Sequence, residues 1–168
     1  MWEIASQKRG DLYLLGGSAL CLLGNPRTTM DVDFTFEPEA ASVKQFEATV
    51  NDLAAEMQLY VDVIPIAEFV PLPPQAYERR QWIGRYGQLN VYIFDLYTIA
   101  LSKISRGFES DIEDVMFMLH QHLIEFEALE RHFHAVLPNA PQADIIPSEF
   151  QDYFEEIRRR VEEDDQII

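Results

Sequence analysis

Two short motifs near the start constrain this chain most: Leu14-Leu15-Gly16-Gly17-Ser18-Ala19, then Arg27-Thr28-Thr29-Met30-Asp31-Val32-Asp33-Phe34. The first is an apolar run into Gly-Gly-Ser that continues as Ala19-Leu20-Cys21-Leu22-Leu23. It predicts a strand turning sharply into a helix, with backbone N–H groups of Gly17 and Ser18 open at the turn, an arrangement that attracts the phosphates of an anion. Gly16-Gly17 taken alone fits an ordinary tight turn equally well. In the second motif Met30, Val32, Phe34 and Phe36 alternate with Asp31, Asp33 and Thr35, the period of a strand with one buried face. Both carboxylates then point the same way. The bland reading is an exposed polar strand face; the sharper one is a site for a hard divalent cation such as Mg2+, which takes oxygen ligands. With a triphosphate beside them, the parts of a phosphoryl-transfer site are present.

A chain of 168 residues that is 48% hydrophobic and 12% aromatic can bury a proper core, and a single domain is expected over 1–168. No apolar run is long enough to cross a bilayer, and Met1 to Arg9 lacks the order of a secretory signal, so no membrane association and a cytoplasmic address are expected. The lone Cys21 excludes a disulfide framework and reads as a small buried hydrophobe. The net charge of -16 weighs against long nucleic acid as a partner, because a protein that grips it carries a basic stripe. Small nucleotides are favoured instead. The same charge would suit a protein partner with a basic surface.

The hydrophobic pattern predicts alternating elements first and only helices later. A short helix over Trp2 to Arg9, a strand over Asp11 to Leu15 and the Asp-x-Asp strand lead the chain. A helix opened by Pro38 to Ser42 follows, with Val43, Phe46, Val50, Leu53 and Met57 facing the sheet. Leu59 to Ile64 and Leu89 to Phe94 read as strands, and Pro71-Leu72-Pro73-Pro74 forbids regular structure between them. From Asp95 onward only helices are expected: one bearing Lys103 and Arg106 that breaks near Gly107, one started by a capping box at Ser110 and Glu113, one with Phe126, Leu129, Phe133 and Val136, and one from Ser148. The expected class is α+β, a mixed sheet packed by helices over about 1–98 with an all-helical part over about 99–168.

Asp62 interrupts the apolar strand Tyr60-Val61-Asp62-Val63-Ile64, where an ionised side chain is costly unless paired or metal-bound, or unless it faces solvent on an edge. It is the candidate third carboxylate beside Asp31 and Asp33. Lys103 and Arg106, three apart on one helix face amid Ile99, Ala100, Leu101 and Ile104, have two uses open to them. They contact an anionic ligand, or they pair with Asp111 and Asp114 beyond Gly107.

Gly-Gly-Ser, a short helix and Asp-x-Asp on a strand resemble the nucleotidyltransferase superfamily of the polymerase beta type. Arg27-x-Thr29-x-Asp31-x-Asp33, with Lys103, Arg106 and Asp111-x-x-Asp114 further on, resembles its smaller bacterial branch that includes AbiEii-type toxins and minimal nucleotidyltransferases of toxin–antitoxin systems. The likeness spans roughly 12–120, and Ser110 stands where that branch often carries a basic residue. It implies a nucleotidyltransferase-like fold and two Mg2+ ions held by Asp31, Asp33 and Asp62. It also implies a nucleoside triphosphate such as ATP contacted by Gly16, Gly17, Ser18, Arg27, Thr29, Lys103 and Arg106, the last two at its β and γ phosphates. The expected reaction is transfer of a nucleoside monophosphate to a hydroxyl on a protein, a tRNA end or a small metabolite. The alternative is a catalytically inactive member, regulatory or antitoxin-like, whose acidic surface docks a basic protein.

Other candidates carry less. His120-x-His122 and His132-x-His134 suggest zinc, but residues two apart on a helix face different ways. Arg158-Arg159-Arg160 follows Glu155 and Glu156 by four residues in the orientation that favours helix ion pairs, so a solvated face is expected there.

Overall fold

The structure, a computed structural model, describes residues 10–29, 31–38, 43–65, 70–87 and 89–165. The expected helix over Trp2 to Arg9 and the residues 39–42 of the expected helix start lie outside them. The chain divides into two compact units, Met1–Pro65 with Arg79–Phe94, and Ile66–Glu78 with Asp95–Ile168.

The first unit is a five-stranded mixed sheet in the order β3-β2-β1-β5-β4. Its strands are β1 (Gly10–Leu14), β2 (Asp31–Pro38), β3 (Tyr60–Val63), β4 (Gln81–Tyr86) and β5 (Leu89–Ile93), with helices α1 (Gly16–Leu22) and α2 (Val43–Met57). β1 runs antiparallel to β2 and parallel to β5, and β2 runs parallel to β3. A parallel pair needs a crossover longer than a hairpin, and α2 supplies it between β2 and β3.

Of the expected buried face of β2 only Phe34 is fully buried, while Val32 and Phe36 are half-buried. Phe34 is buried while Asp31 is exposed and Asp33 and Thr35 are half-buried. Burying one Phe stabilises the fold by about 1.5–3 kcal/mol, enough to fix the register of a strand whose one-residue slip would put that ring in water. Ala54 of α2 is buried and Val50 and Leu53 are half-buried, but Met57 is 59% exposed rather than core. It ends the helix just before Gln58, whose φ of 56° turns the chain into β3.

β4 is an element that the hydrophobic pattern does not predict. It forms a hairpin with β5, with a register irregularity between Trp82 and Gly84. Trp82 meets Tyr92 edge-on at 5.6 Å, and Tyr92 stacks on Tyr13 at 5.5 Å, so an aromatic row crosses β4, β5 and β1. Tyr13 is in turn the register partner of Thr35, which puts this row on the Asp33 side of the sheet.

The second unit is helical: α3 (Leu96–Arg106), α4 (Glu109–His120), α5 (Phe126–Val136) and α6 (Pro147–Asp165), with 3-10 turns at Ala76–Arg79 and Leu137–Ala143. α3 begins at Asp95, whose buried carboxylate accepts from the Thr98 amide at 3.2 Å and the Thr98 hydroxyl at 2.8 Å. It ends at Gly107 with φ 66°, where a Cβ would stand 2.4 Å from the Tyr153 ring, so only glycine fits the turn. The expected capping box is corrected: α4 starts at Glu109 behind Phe108 with no side-chain cap, and Ser110 lies inside the helix. The core of α5 and α6 is aromatic, with Phe133 stacked on Phe154 at 4.1 Å and edge-on to Phe150 at 4.8 Å. Among the described residues no helix is long and apolar enough to cross a membrane.

Candidate active site

The Gly-Gly-Ser turn joins β1 to α1. Leu15 N–H donates to the Asp33 carbonyl at 2.9 Å, tying the turn to β2. Bonding within α1 begins where Ala19 N–H meets the Leu15 carbonyl at 3.1 Å, so the amides of Gly17 and Ser18 lie ahead of the first helical bond. The Ser18 hydroxyl donates to the same carbonyl at 2.9 Å. Gly16 has φ 55°, and a Cβ there would fall 2.1 Å from Oδ2 of Asp33. The glycine is therefore required by the carboxylate beside it as much as by the backbone. Gly17 lies against Thr29, whose Cβ would be 3.5 Å from a Cβ on Gly17.

Thr29 also fixes the entry of β2. Its hydroxyl donates to the Asp31 carbonyl at 3.3 Å and accepts from the Asp31 N–H at 3.2 Å. Arg27 is exposed, and its backbone N–H donates to Asn25 Oδ1 at 3.0 Å. Cys21 is half-buried rather than enclosed, its thiol 3.1 Å from the Arg27 carbonyl.

β3 brings the third acid alongside. In the parallel β2–β3 pair Asp33 is the register partner of Asp62, and Asp31 that of Tyr60. Register partners in adjacent strands point to the same face, and residues two apart in a strand do so too. Asp31, Asp33 and Asp62 therefore share one sheet face, with Asp62 exposed on the rim strand. Among the described residues no three His, Cys, Asp or Glu side chains, Asp31, Asp33 and Asp62 included, are gathered closely enough to hold a metal ion together. The donor set is nonetheless all oxygen, and the missing Cβ of Gly16 lets the Asp33 carboxylate lie directly against the turn. Such a set fits Mg2+, which takes one or two protein carboxylates and completes its shell with water and phosphate, rather than zinc.

Lys103 and Arg106 belong to the helical unit. The Lys103 ammonium, 2% exposed, binds Asp114 at 2.6 Å and Asp111 at 3.1 Å. Arg106 grips Asp111 in two-pronged fashion at 2.9 and 2.6 Å. Of the two uses open to the pair, this is the ion pairing with Asp111 and Asp114. Burial raises the pKa of Asp111, but the Arg106 hydrogen bonds and the Lys103 and Arg106 charges outweigh it and hold the carboxyl below its ordinary value. The acids of α4 thus do more than complement its dipole: they clamp α3 to α4.

The lesser candidates resolve as structure. His120 pairs with Asp164 at 2.7 Å, and His132 packs on Tyr97 with ring centroids 4.8 Å apart. In the arginine block Arg160 pairs with Glu156 four residues back, as expected, and with Glu109. Glu155 pairs with Arg158 instead of Arg159. Hydrogen bonds from Arg159 and then Arg160 hold Glu156 at about 2. A groove of about 420 Å³ opens between α4 and α6, floored by Met116 and Phe117, and none of the predicted site residues lines it. The sequence reading missed the Asp95 cap, although Asp95 and Thr98 stand at cap spacing before an apolar run.

No curated protein and no solved structure matches the chain. Residues 3–161 match the family described as "Nucleotidyltransferase of unknown function (DUF6036)". With nearly the whole chain covered and the Gly-Gly-Ser turn facing the Asp-x-Asp strand, this protein belongs to that nucleotidyltransferase family.

Proposed function

We propose that the chain is a Mg2+-dependent enzyme that moves a nucleoside monophosphate from a nucleoside triphosphate to a hydroxyl acceptor. The observation that carries the reading is the β2–β3 register, which sets Asp62 beside Asp33 on the face that Asp31 shares. Asp31, Asp33 and Asp62 would hold two Mg2+ ions. Bound there, Mg2+ supplies charge neutralisation at the phosphates and a lower pKa at the acceptor hydroxyl. The Gly17 and Ser18 amides, with Arg27, contact the terminal phosphates, and Thr29 keeps Asp31 in place through its backbone. The acceptor oxygen attacks the α-phosphorus, the bond from that phosphorus to its bridging oxygen breaks, and pyrophosphate leaves. The acceptor proton passes to the Asp62 carboxylate. Lys103 and Arg106 would have to release Asp111 and Asp114 to reach a phosphate, so the proposal gives them a structural part.

The spacing Arg27-x-Thr29-x-Asp31-x-Asp33 supports a place in the AbiEii-type branch and a toxin–antitoxin role. The test incubates the chain with Mg2+ and each of the four triphosphates labelled at the α-phosphate, offering tRNA, protein and small-metabolite hydroxyls in turn. Label should move to one acceptor class, and Asp33→Ala should abolish the transfer. Transfer undiminished in Asp33→Ala refutes the proposal. No transfer at all, with a basic protein bound equally well by both forms, establishes the inactive binding module in its place.

A further inference from the structure

One large side chain stands in the open on the carboxylate face. Tyr60 opens β3, is 68% exposed, and is the register partner of Asp31. It lies two residues before Asp62, so its ring projects from the same face as the three acids. Neighbouring strands lie about 5 Å apart, so the root of this ring is one strand step from Asp31. Among the described residues no aromatic ring or guanidinium packs against it. A lone exposed aromatic is ordinary on a protein surface. Its place is what distinguishes this one: a single strand spacing from Asp31, on the rim strand, with most of the ring in the open.

We propose that Tyr60 is the stacking platform for the nucleobase of the triphosphate. The inference rests on the nucleotidyltransferase reading above, which puts the α-phosphate at Asp31 and Asp33. One sugar separates the base from that phosphate, about the strand step that separates Tyr60 from Asp31. Stacking uses the face of the base and reads none of its hydrogen-bonding edges, so the site accepts all four bases. Purines, with the larger ring face, bind more tightly than pyrimidines.

Calorimetry on the full chain with Mg2+ separates this contact from phosphate binding, using ATP, UTP and inorganic tripolyphosphate as probes. Loss of one base stack weakens affinity roughly 5- to 150-fold. Tyr60→Ala should weaken ATP by that factor and leave tripolyphosphate unchanged, while Tyr60→Phe and Tyr60→Trp keep ATP affinity. The side chain is mostly in water, so unchanged circular dichroism and melting of the variants are expected and are measured alongside. ATP affinity that survives Tyr60→Ala overturns the proposal, as does an equal loss for ATP and tripolyphosphate. If the unaltered chain binds none of the three probes, the nucleotidyltransferase reading falls first. If it binds tripolyphosphate as tightly as ATP, only the stacking platform falls.

Discussion

Gly16→Ala probes the link between the glycine turn and the carboxylates. The new Cβ would fall 2.1 Å from Oδ2 of Asp33, where contacts under 3.0 Å force something to move. The atom in the way belongs to a side chain and not to the backbone, so the carboxylate swings aside instead of the strand giving way. A retreat of about 1 Å is needed, and a misplacement of that size costs about 10²-fold in rate. The backbone adds its own penalty, because φ is 55° and an L side chain in that region costs about 1–2 kcal/mol. Gly24→Ala supplies the matched control: φ is 92° there, and a Cβ meets nothing within 4 Å. Both variants should lose about 1–2 kcal/mol in urea unfolding, while only Gly16→Ala loses α-phosphate transfer. Equal activity in the two variants would refute the argument that Gly16 exists to seat Asp33.

The helical unit makes two further predictions. Lys103→Met takes the ammonium away from the buried Asp114 carboxylate and should cost about 3–5 kcal/mol by urea unfolding, with Lys103→Met/Asp114→Asn recovering part of it; a loss below about 1 kcal/mol would show that the cluster is incidental. Asp111 has a folded pKa below its ordinary 3.8, so the unfolded chain binds the extra proton between the two values. Its contribution is therefore full above 3.8 and lost as pH falls through the folded value. Asp111→Asn should flatten the fall of unfolding free energy below that pH, and an unchanged slope would disprove the coupling.

Much of this was legible in the residues themselves. The alternation of Asp31 to Phe36 tells which side of β2 Phe34 buries, although Val32 and Phe36 beside it are only half-buried. Asp62 could be placed on a strand but not on a face, since Val61 and Val63 flank it and a short rim strand buries neither side. Only pairing with β2 sets its direction. β4 escaped because Ile83 beside Trp82, and Gly84 with no side chain, break the alternation of the segment, and a register irregularity lies between Trp82 and Gly84. The start of α4 was misjudged for an instructive reason. Ser110 and Glu113 form a local capping pattern, yet Lys103 and Arg106 draw Asp111 inward, and the helix begins one residue before Ser110. A buried charge cluster overrides a cap worth about 1 kcal/mol.

The rim position of β3 has a consequence for the chain in solution. Among the described residues only β2 pairs with it, so its outer amides and carbonyls are a template on which another molecule's strand could grow. A negative charge at the middle of so short a rim makes such growth unfavourable, and the surplus of -16 over the whole chain adds to the repulsion. The acid proposed to take a proton thereby also guards against fibrous self-association. Salt shortens its reach to about 10 Å at 0.1 M, and concentrated brine is where that guard is weakest.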